Sequence, residues 1–134
     1  MYSPTLMEHF SNPRNVGELE APDYVGQAGE PGSGPFMVLH LAVDGERVTA
    51  ARFQTYGCGP AIAAGSFLTE HIIGRSRMYC ASLGTEDIVD GLGGMPEDKL
   101  HCAQLAIDAL REALAKWASD RPAAAGASDP SASG

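Results

Sequence analysis

The sequence predicts an α+β domain: a small antiparallel sheet of three strands with helices packed on one side, ending in a long C-terminal helix. Two β-prone runs, Phe36 to Val43 and Arg47 to Tyr56, flank the turn dipeptide Asp44-Gly45, which is typical of an antiparallel hairpin. Segments with apolar residues at helical spacing precede and follow this hairpin. The length of 134 residues suits one compact domain.

The first predicted helix runs from Ser3 to Phe10, because Ser3 suits the N-cap and Pro4 the first helical position. A short strand is predicted at Tyr24 to Ala28, before the hairpin. Three helical segments are predicted after the hairpin, at Ala61–Ile73, Met78–Leu83 and Glu86–Leu92, the last of these capped by Thr85.

The last helix is predicted from an apolar stripe at spacings of three and four residues. Its members are Leu100, Ala103, Ile107, Leu110, Leu114 and Trp117. The remaining stretch, 120–134, consists mostly of Ala, Ser, Gly and Pro and offers no large apolar residue to bury, so we expect a disordered tail. The predicted domain is therefore 1–119.

Composition limits the partners. Nine Lys and Arg against seventeen Asp and Glu give a formal net charge of −8, which opposes binding to nucleic acid or to an anionic membrane. No run of about 18 apolar residues occurs, and the first ten residues lack the basic and apolar regions of a signal peptide. A cytoplasmic location is expected, where the three cysteines would stay reduced.

Cys58 stands between Gly57 and Gly59, at the junction of a predicted strand and a predicted helix. The glycines leave its sulfur accessible, and the N-terminus of the helix favours thiolate over thiol. These conditions suit a soft metal ligand or a reactive thiol. Simple burial at a tight turn is the alternative interpretation.

His101 and Cys102 are adjacent near the start of the last helix. They point about 100° apart, yet both can reach a metal ion that lies just off the helix end. Imidazole and thiolate suit zinc or an iron–sulfur cluster, although the pair alone favours an exposed histidine and a packed cysteine. Cys80 has apolar neighbours and is predicted to pack in the core. Structural roles are predicted for His9, His40 and His71.

Three segments together resemble the iron–sulfur cluster assembly scaffold family, of the IscU type and the NifU N-terminal domain. They are HFSNPRNVG (9–17), ARFQTYGCGPAIAAGSFLTE (51–70) and KLHCAQLAIDAL (99–110), and the match spans about Tyr2 to Trp117. The resemblance implies a scaffold and not an enzyme. Such a scaffold receives sulfur from a cysteine desulfurase, takes up iron, holds a nascent cluster and passes it to iron–sulfur acceptor proteins.

The resemblance also implies a site. The family usually uses three cysteines and an aspartate, with a histidine beside the last cysteine. Cys58 matches the second cysteine, Cys102 the third and His101 the histidine, while Lys99 matches a lysine commonly found just before them. Cys58, His101 and Cys102 are thus the predicted metal-binding residues. The predicted cargo is a cluster of the [2Fe–2S] type, with zinc as an alternative.

Two family ligands are replaced. The family pattern before the hairpin is approximately Ala-Cys-Gly-Asp, whereas this chain has Gly-Ser33-Gly-Pro35. A serine hydroxyl is a poor ligand beside thiolates, and the proline side chain has no donor atom. Three donors suffice for zinc with an open position, but a [2Fe–2S] cluster normally takes four protein ligands. A homodimer that shares the cluster would supply the rest; Glu30, on the same loop, is a weaker substitute.

The family's chaperone-recognition segment also differs. It is similar to Leu-Pro-Pro-Val-Lys, whereas this chain reads Met-Pro-Glu-Asp-Lys at 95–99, so chaperone binding stays open. Three functions therefore compete: a working scaffold with altered ligation, a non-cluster-binding interaction or regulatory homologue, and a zinc-binding protein that relays sulfur. In each case the site is expected at one end of the domain, where the Ser33 loop, the Cys58 turn and the start of the last helix converge.

Overall fold

The computed structural model describes residues 2–30 and 32–119, so the predicted tail at 120–134 lies outside the described residues. The elements are α1 (Pro4–Ser11), β1 (Tyr24–Gly29), β2 (Phe36–Asp44), β3 (Arg47–Tyr56), α2 (Gly59–Ile72), α3 (Arg77–Ala81), α4 (Thr85–Gly91) and α5 (Leu100–Ala118). A 3-10 turn at Glu97–Lys99 leads into α5. The predicted α+β class and the long terminal helix are confirmed.

The sheet has the order β1-β2-β3, and both strand pairs are antiparallel. Because side chains alternate between the two faces of a strand, each strand presents one apolar set to a single face. This buried set comprises Met37, Leu39, Leu41, Val48, Ala51 and Phe53. Helices α5 and α2 pack against the sheet and enclose the core with it, as the sequence predicted.

Helix α5 lies unusually close to β1. A Cβ on Gly26 would stand 2.0 Å from the carbonyl oxygen of Ala109 and 2.6 Å from the backbone nitrogen of Ala113. Only a glycine in the strand, facing alanines on the helix, permits such an approach. The fit fixes where the first turn of α5, which carries His101 and Cys102, sits relative to the sheet.

Helix boundaries differ slightly from the predicted ones. Helix α2 begins at Gly59 instead of Ala61, because Cys58 takes the N-cap position and Pro60 fits the first turn. Helix α3 ends at Ala81, before the predicted Leu83. Gly84 replaces Thr85 as the N-cap of α4, and its N–H donates to the Asp87 carboxylate at 2.8 Å.

Helix α1 begins as predicted, with the Ser3 hydroxyl accepting from the Leu6 N–H at 3.0 Å. No helix among the described residues is both long enough and apolar enough to cross a membrane.

Candidate functional site

Cys58 occupies the turn between β3 and α2. It takes the N-cap position of α2 in an extended conformation, and its side chain makes no capping hydrogen bond. The thiol is therefore free to act elsewhere. A larger residue after Cys58 would crowd α1, because a Cβ on Gly59 would lie only 3.0 Å from the ring of Phe10. Helix α1 thus holds the Cys58 turn from one side.

Cys102 lies in the first turn of α5 and is 2% exposed. Its Sγ atom is 3.4 Å from the Sγ of Cys58, although the two residues are 44 positions apart in the sequence. Both thiols are free, and Cys58 is the more exposed of the two. The fold therefore brings together the two sulfurs that the sequence analysis paired, beside the start of α5.

His101 is exposed on the same turn of α5, and its Nε2 atom is 3.6 Å from the Sγ of Cys102. Cys58, Cys102 and His101 nevertheless do not form a complete set of three metal donors. Within residues 2–30 and 32–119, no three His, Cys, Asp or Glu side chains converge closely enough to hold a metal ion. The structure thus provides a thiol pair with an imidazole at one sulfur.

Burial, together with the neighbouring Cys58 thiol, raises the pKa of the Cys102 thiol to about 12. The positive charge of Lys99 acts against this rise. Cys102 is therefore protonated at neutral pH in the metal-free chain. A metal ion that binds here must displace that proton, which makes the binding dependent on pH.

The loop that carries Ser33 and Pro35 lies next to the Cys58 turn. Ser33 is exposed, and its N–H donates to the Glu30 carbonyl at 3.0 Å, which closes the loop. The Cβ of Pro35 is 3.9 Å from the position that a Cβ on Gly57 would take. Neither Ser33 nor Pro35 brings a side-chain donor that suits a soft metal to this edge of the site.

Cys80 lies in the hydrophobic core, 1% exposed, and burial raises the pKa of its thiol to about 11. The predicted packing role of this cysteine is confirmed. It also provides a matched control for experiments on the other two cysteines.

Sequence reasoning missed the hydrogen bonds that anchor the helix beneath the site. His9 is 6% exposed, and its Nδ1 lies 2.7 Å from the hydroxyl of Ser66 in α2. The same hydroxyl accepts from the Arg14 N–H at 2.9 Å. The segment HFSNPRNVG (9–17) therefore joins α1 to α2. The motif was visible in the sequence, but nothing local revealed its partner, 57 residues from His9.

Comparisons with known proteins match most of the chain to one family. The profile of the family described as NifU-like N terminal domain matches residues 1–124. The chain is 40% identical over 126 residues to the iron–sulfur cluster assembly scaffold protein IscU of Escherichia coli K12, covering 91% of this chain and 98% of that protein. It is 42% identical over 115 residues to the scaffold protein IscU of Aquifex aeolicus, covering 84% of this chain and 73% of that protein.

A solved structure supports the fold. The putative iron–sulfur cluster assembly scaffold protein for the SUF system from Fervidobacterium islandicum superposes with a TM-score of 0.66 at 20% identity. The superposition covers 84% of this chain and 96% of that chain. At this identity the likeness is one of fold alone.

Proposed function

The chain belongs to the NifU-like N-terminal domain family, and from that premise we propose that it is a scaffold for iron–sulfur cluster assembly with altered ligation. It acts as a carrier of cargo, not as an enzyme. The observation that supports this most strongly is the 3.4 Å separation between the sulfur atoms of Cys58 and Cys102. Two thiols at that distance, beside an imidazole and at the edge of the domain, suit a thiophilic metal.

Two of the three donor separations are close to those around a shared metal ion. With metal–sulfur bonds of about 2.3 Å and metal–nitrogen bonds of about 2.0 Å, tetrahedral geometry sets two thiolates about 3.8 Å apart and a thiolate and an imidazole nitrogen about 3.5 Å apart. The observed separations are 3.4 Å for Cys58 and Cys102, and 3.6 Å for Cys102 and His101. A shift of a few tenths of an ångström between the sulfurs therefore prepares the pair for iron.

We assign three roles in this proposal. Cys58 and Cys102 bind iron as thiolates, and His101 is the third donor to an incoming ion after its exposed side chain turns toward the pair. Lys99 favours the thiolate of Cys102 through its charge. Sulfur comes from a cysteine desulfurase, which reaches Cys58 more easily than the buried Cys102, and the finished cluster passes to acceptor proteins.

Anaerobic reconstitution with iron and sulfide tests the proposal. The parent chain should develop visible charge-transfer absorption and contain iron and sulfide, while Cys58→Ala and Cys102→Ala should lose most of both. Cys80→Ala should retain them, since Cys80 lies in the core. Absorption that survives in either site variant, or zinc binding without any iron or sulfide uptake, would refute the scaffold function.

A second candidate function follows from the Ser33 loop. Because Ser33 and Pro35 offer no thiolate or carboxylate beside the Cys58 turn, the chain would keep the scaffold fold and bind the desulfurase without building clusters. The double variant Ser33→Cys with Pro35→Asp would then gain cluster binding that the parent lacks. Equal cluster binding in the parent and the double variant rules this candidate out.

A further inference from the structure

The end of the domain opposite the thiol pair carries three arginines that the proposed function does not use: Arg47, Arg75 and Arg77. Strand β3 begins at that end and finishes just before Cys58, about 30 Å away along the strand. Helix α2 begins beside Cys58 and runs back, so the link that follows α2 returns to the start of β3. The arginines therefore form a surface separate from the metal site.

Backbone hydrogen bonds fix the link between α2 and α3 against the start of β3. The Gly74 N–H donates to the Val48 carbonyl at 2.7 Å, and the Val48 N–H donates to the Arg75 carbonyl at 2.9 Å. The Arg77 N–H donates to the Glu46 carbonyl at 2.7 Å. Because the backbone that carries the guanidinium groups is already ordered, a partner that binds them does not have to order a loop.

Two of the three guanidinium groups have no carboxylate partner. Arg77 forms an ion pair of 3.0 Å with a glutamate of the β2–β3 turn. Arg47 instead donates to the Gly74 carbonyl at 3.0 Å, and Arg75 lies over the ring of Tyr79, 4.5 Å from its centre. Among the residues that the structure describes, neither Arg47 nor Arg75 has a carboxylate oxygen within 4.0 Å. Their charges are therefore available to an outside group.

Exposed apolar side chains adjoin these arginines. Met78 follows Arg77 in α3 and is 79% exposed, and Ile73 at the end of α2 is 37% exposed. Arginine and methionine are enriched at protein interfaces, and the flexible methionine side chain adapts to its partner. We propose that this surface, formed by Arg47, Ile73, Arg75 and Met78, docks an acidic segment of a partner protein that also carries an apolar side chain.

The surroundings favour a short acidic segment over an extended polyanion. Asp44 lies opposite Arg47 in the hairpin, and the chain as a whole carries a net charge of −8. A membrane or a nucleic acid would bring its negative charge close to these carboxylates, whereas a short segment can contact the two guanidinium groups alone. Since the surface is far from Cys58, a partner bound there leaves the thiol pair open.

Binding of a synthetic peptide, followed by fluorescence anisotropy and NMR, tests the inference. The probe is a short peptide of Glu and Asp that contains leucine, and it should bind the parent chain less tightly as the salt concentration rises. Its amide shifts should concentrate at 46–48 and 73–79. Arg47→Gln with Arg75→Gln should weaken binding about fivefold to tenfold. Arg52→Gln with Arg111→Gln removes the same charge from exposed positions elsewhere and should leave the affinity near that of the parent.

Met78→Ser is an independent variant, because it leaves the arginine contacts in place. It should weaken binding of the leucine peptide several-fold and leave binding of a peptide with serine in place of leucine unchanged. Equal affinity of the parent and the Arg47 and Arg75 double variant, amide shifts confined to other parts of the chain, or no binding of the leucine peptide would overturn the inference. Tighter binding of the parent to phosphatidylserine vesicles than to the peptide would also overturn it. None of these outcomes bears on cluster assembly, since Cys58 and Cys102 are unchanged in every variant.

Discussion

His9 shows how a single buried residue sets the chemistry of its surroundings. The Ser66 hydroxyl accepts from the Arg14 N–H, so its own proton is free to be donated to Nδ1 of His9, 2.7 Å away. The Arg14 guanidinium, whose Nη1 lies 3.4 Å from the same Nδ1, also favours a neutral imidazole that accepts there. Burial lowers the pKa of His9, and the positive charge of Arg14 lowers it further, against the opposing effect of Glu70.

We predict that the free energy of unfolding falls as the pH falls below about 6.5, the value of an unfolded histidine. The pKa of His9 in the folded state lies lower, so the unfolded chain takes up the proton first and is stabilised relative to the folded chain. The decline should level off once the pH is below the folded pKa. Burial and Arg75 lower the pKa of His71 too, which adds to the same slope.

Urea denaturation of the parent and of His9→Asn across this pH range measures the effect. The asparagine Oδ1 accepts from Ser66 but does not titrate, so the variant should show a shallower decline. His71→Asn removes the contribution of His71 to the slope. The double variant should therefore show the weakest dependence of the free energy of unfolding on pH. A variant His9→Asn with the full slope of the parent would contradict the prediction.

At the scale of the elements, local signals predicted the fold well. Ser3 and Pro4 predicted the start of α1, and Asp44-Gly45 predicted the hairpin, because caps and tight turns depend on residues only a few positions apart. The contact between Cys58 and Cys102 depends on how α2 and α5 pack, so only the family resemblance pointed to it. No local pattern indicated that His101 would stop short of a closed three-donor site, or that α5 would approach Gly26 so closely.

We predict that Gly26→Ala destabilises the domain strongly. The new Cβ would lie 2.0 Å and 2.6 Å from backbone atoms of α5, which cannot turn away as a side chain can. Overpacking of this kind costs about 1–3 kcal/mol or more in the free energy of unfolding. Trp117 stacks on Tyr24 of β1 with centroids 5.9 Å apart, so its fluorescence should report the displaced helix.

Thr49→Ala is the control for Gly26→Ala, because it alters an exposed position of β3. It should change stability by less than about 0.5–1 kcal/mol, as exposed strand substitutions do. Unfolding curves that coincide for Gly26→Ala and the parent would contradict the tight contact between α5 and β1.

At the scale of the whole molecule, both edges of the sheet are covered. On the β3 edge, Gly17 and Asn15 exchange hydrogen bonds with Phe53, and Gly74 and Arg75 do so with Val48. On the β1 edge, side chains of α5 take the place of a strand. Glu112 accepts from the Gln27 N–H at 2.6 Å, and Lys116 donates to the Val25 carbonyl at 2.7 Å. A covered edge cannot template pairing with another chain.

The double variant Glu112→Ala with Lys116→Ala should expose the β1 edge. We expect a loss of about 1 kcal/mol in the free energy of unfolding, since both side chains are partly exposed. Light scattering of the apo chain should also show growing self-association, because Val25 and Gln27 would then present unpaired backbone groups.

Arg111→Ala alters an exposed position on the same helix. It should leave the free energy of unfolding and the light scattering of the apo chain near those of the parent. Association through the edge would need no iron and would survive a chelator, which separates it from a dimer held by a cluster. If the apo double variant stays monomeric at concentrations where the parent is soluble, the two α5 side chains are not what protects this edge. The close packing of α5 against Gly26 would then remain as the physical reason that no further strand pairs with β1.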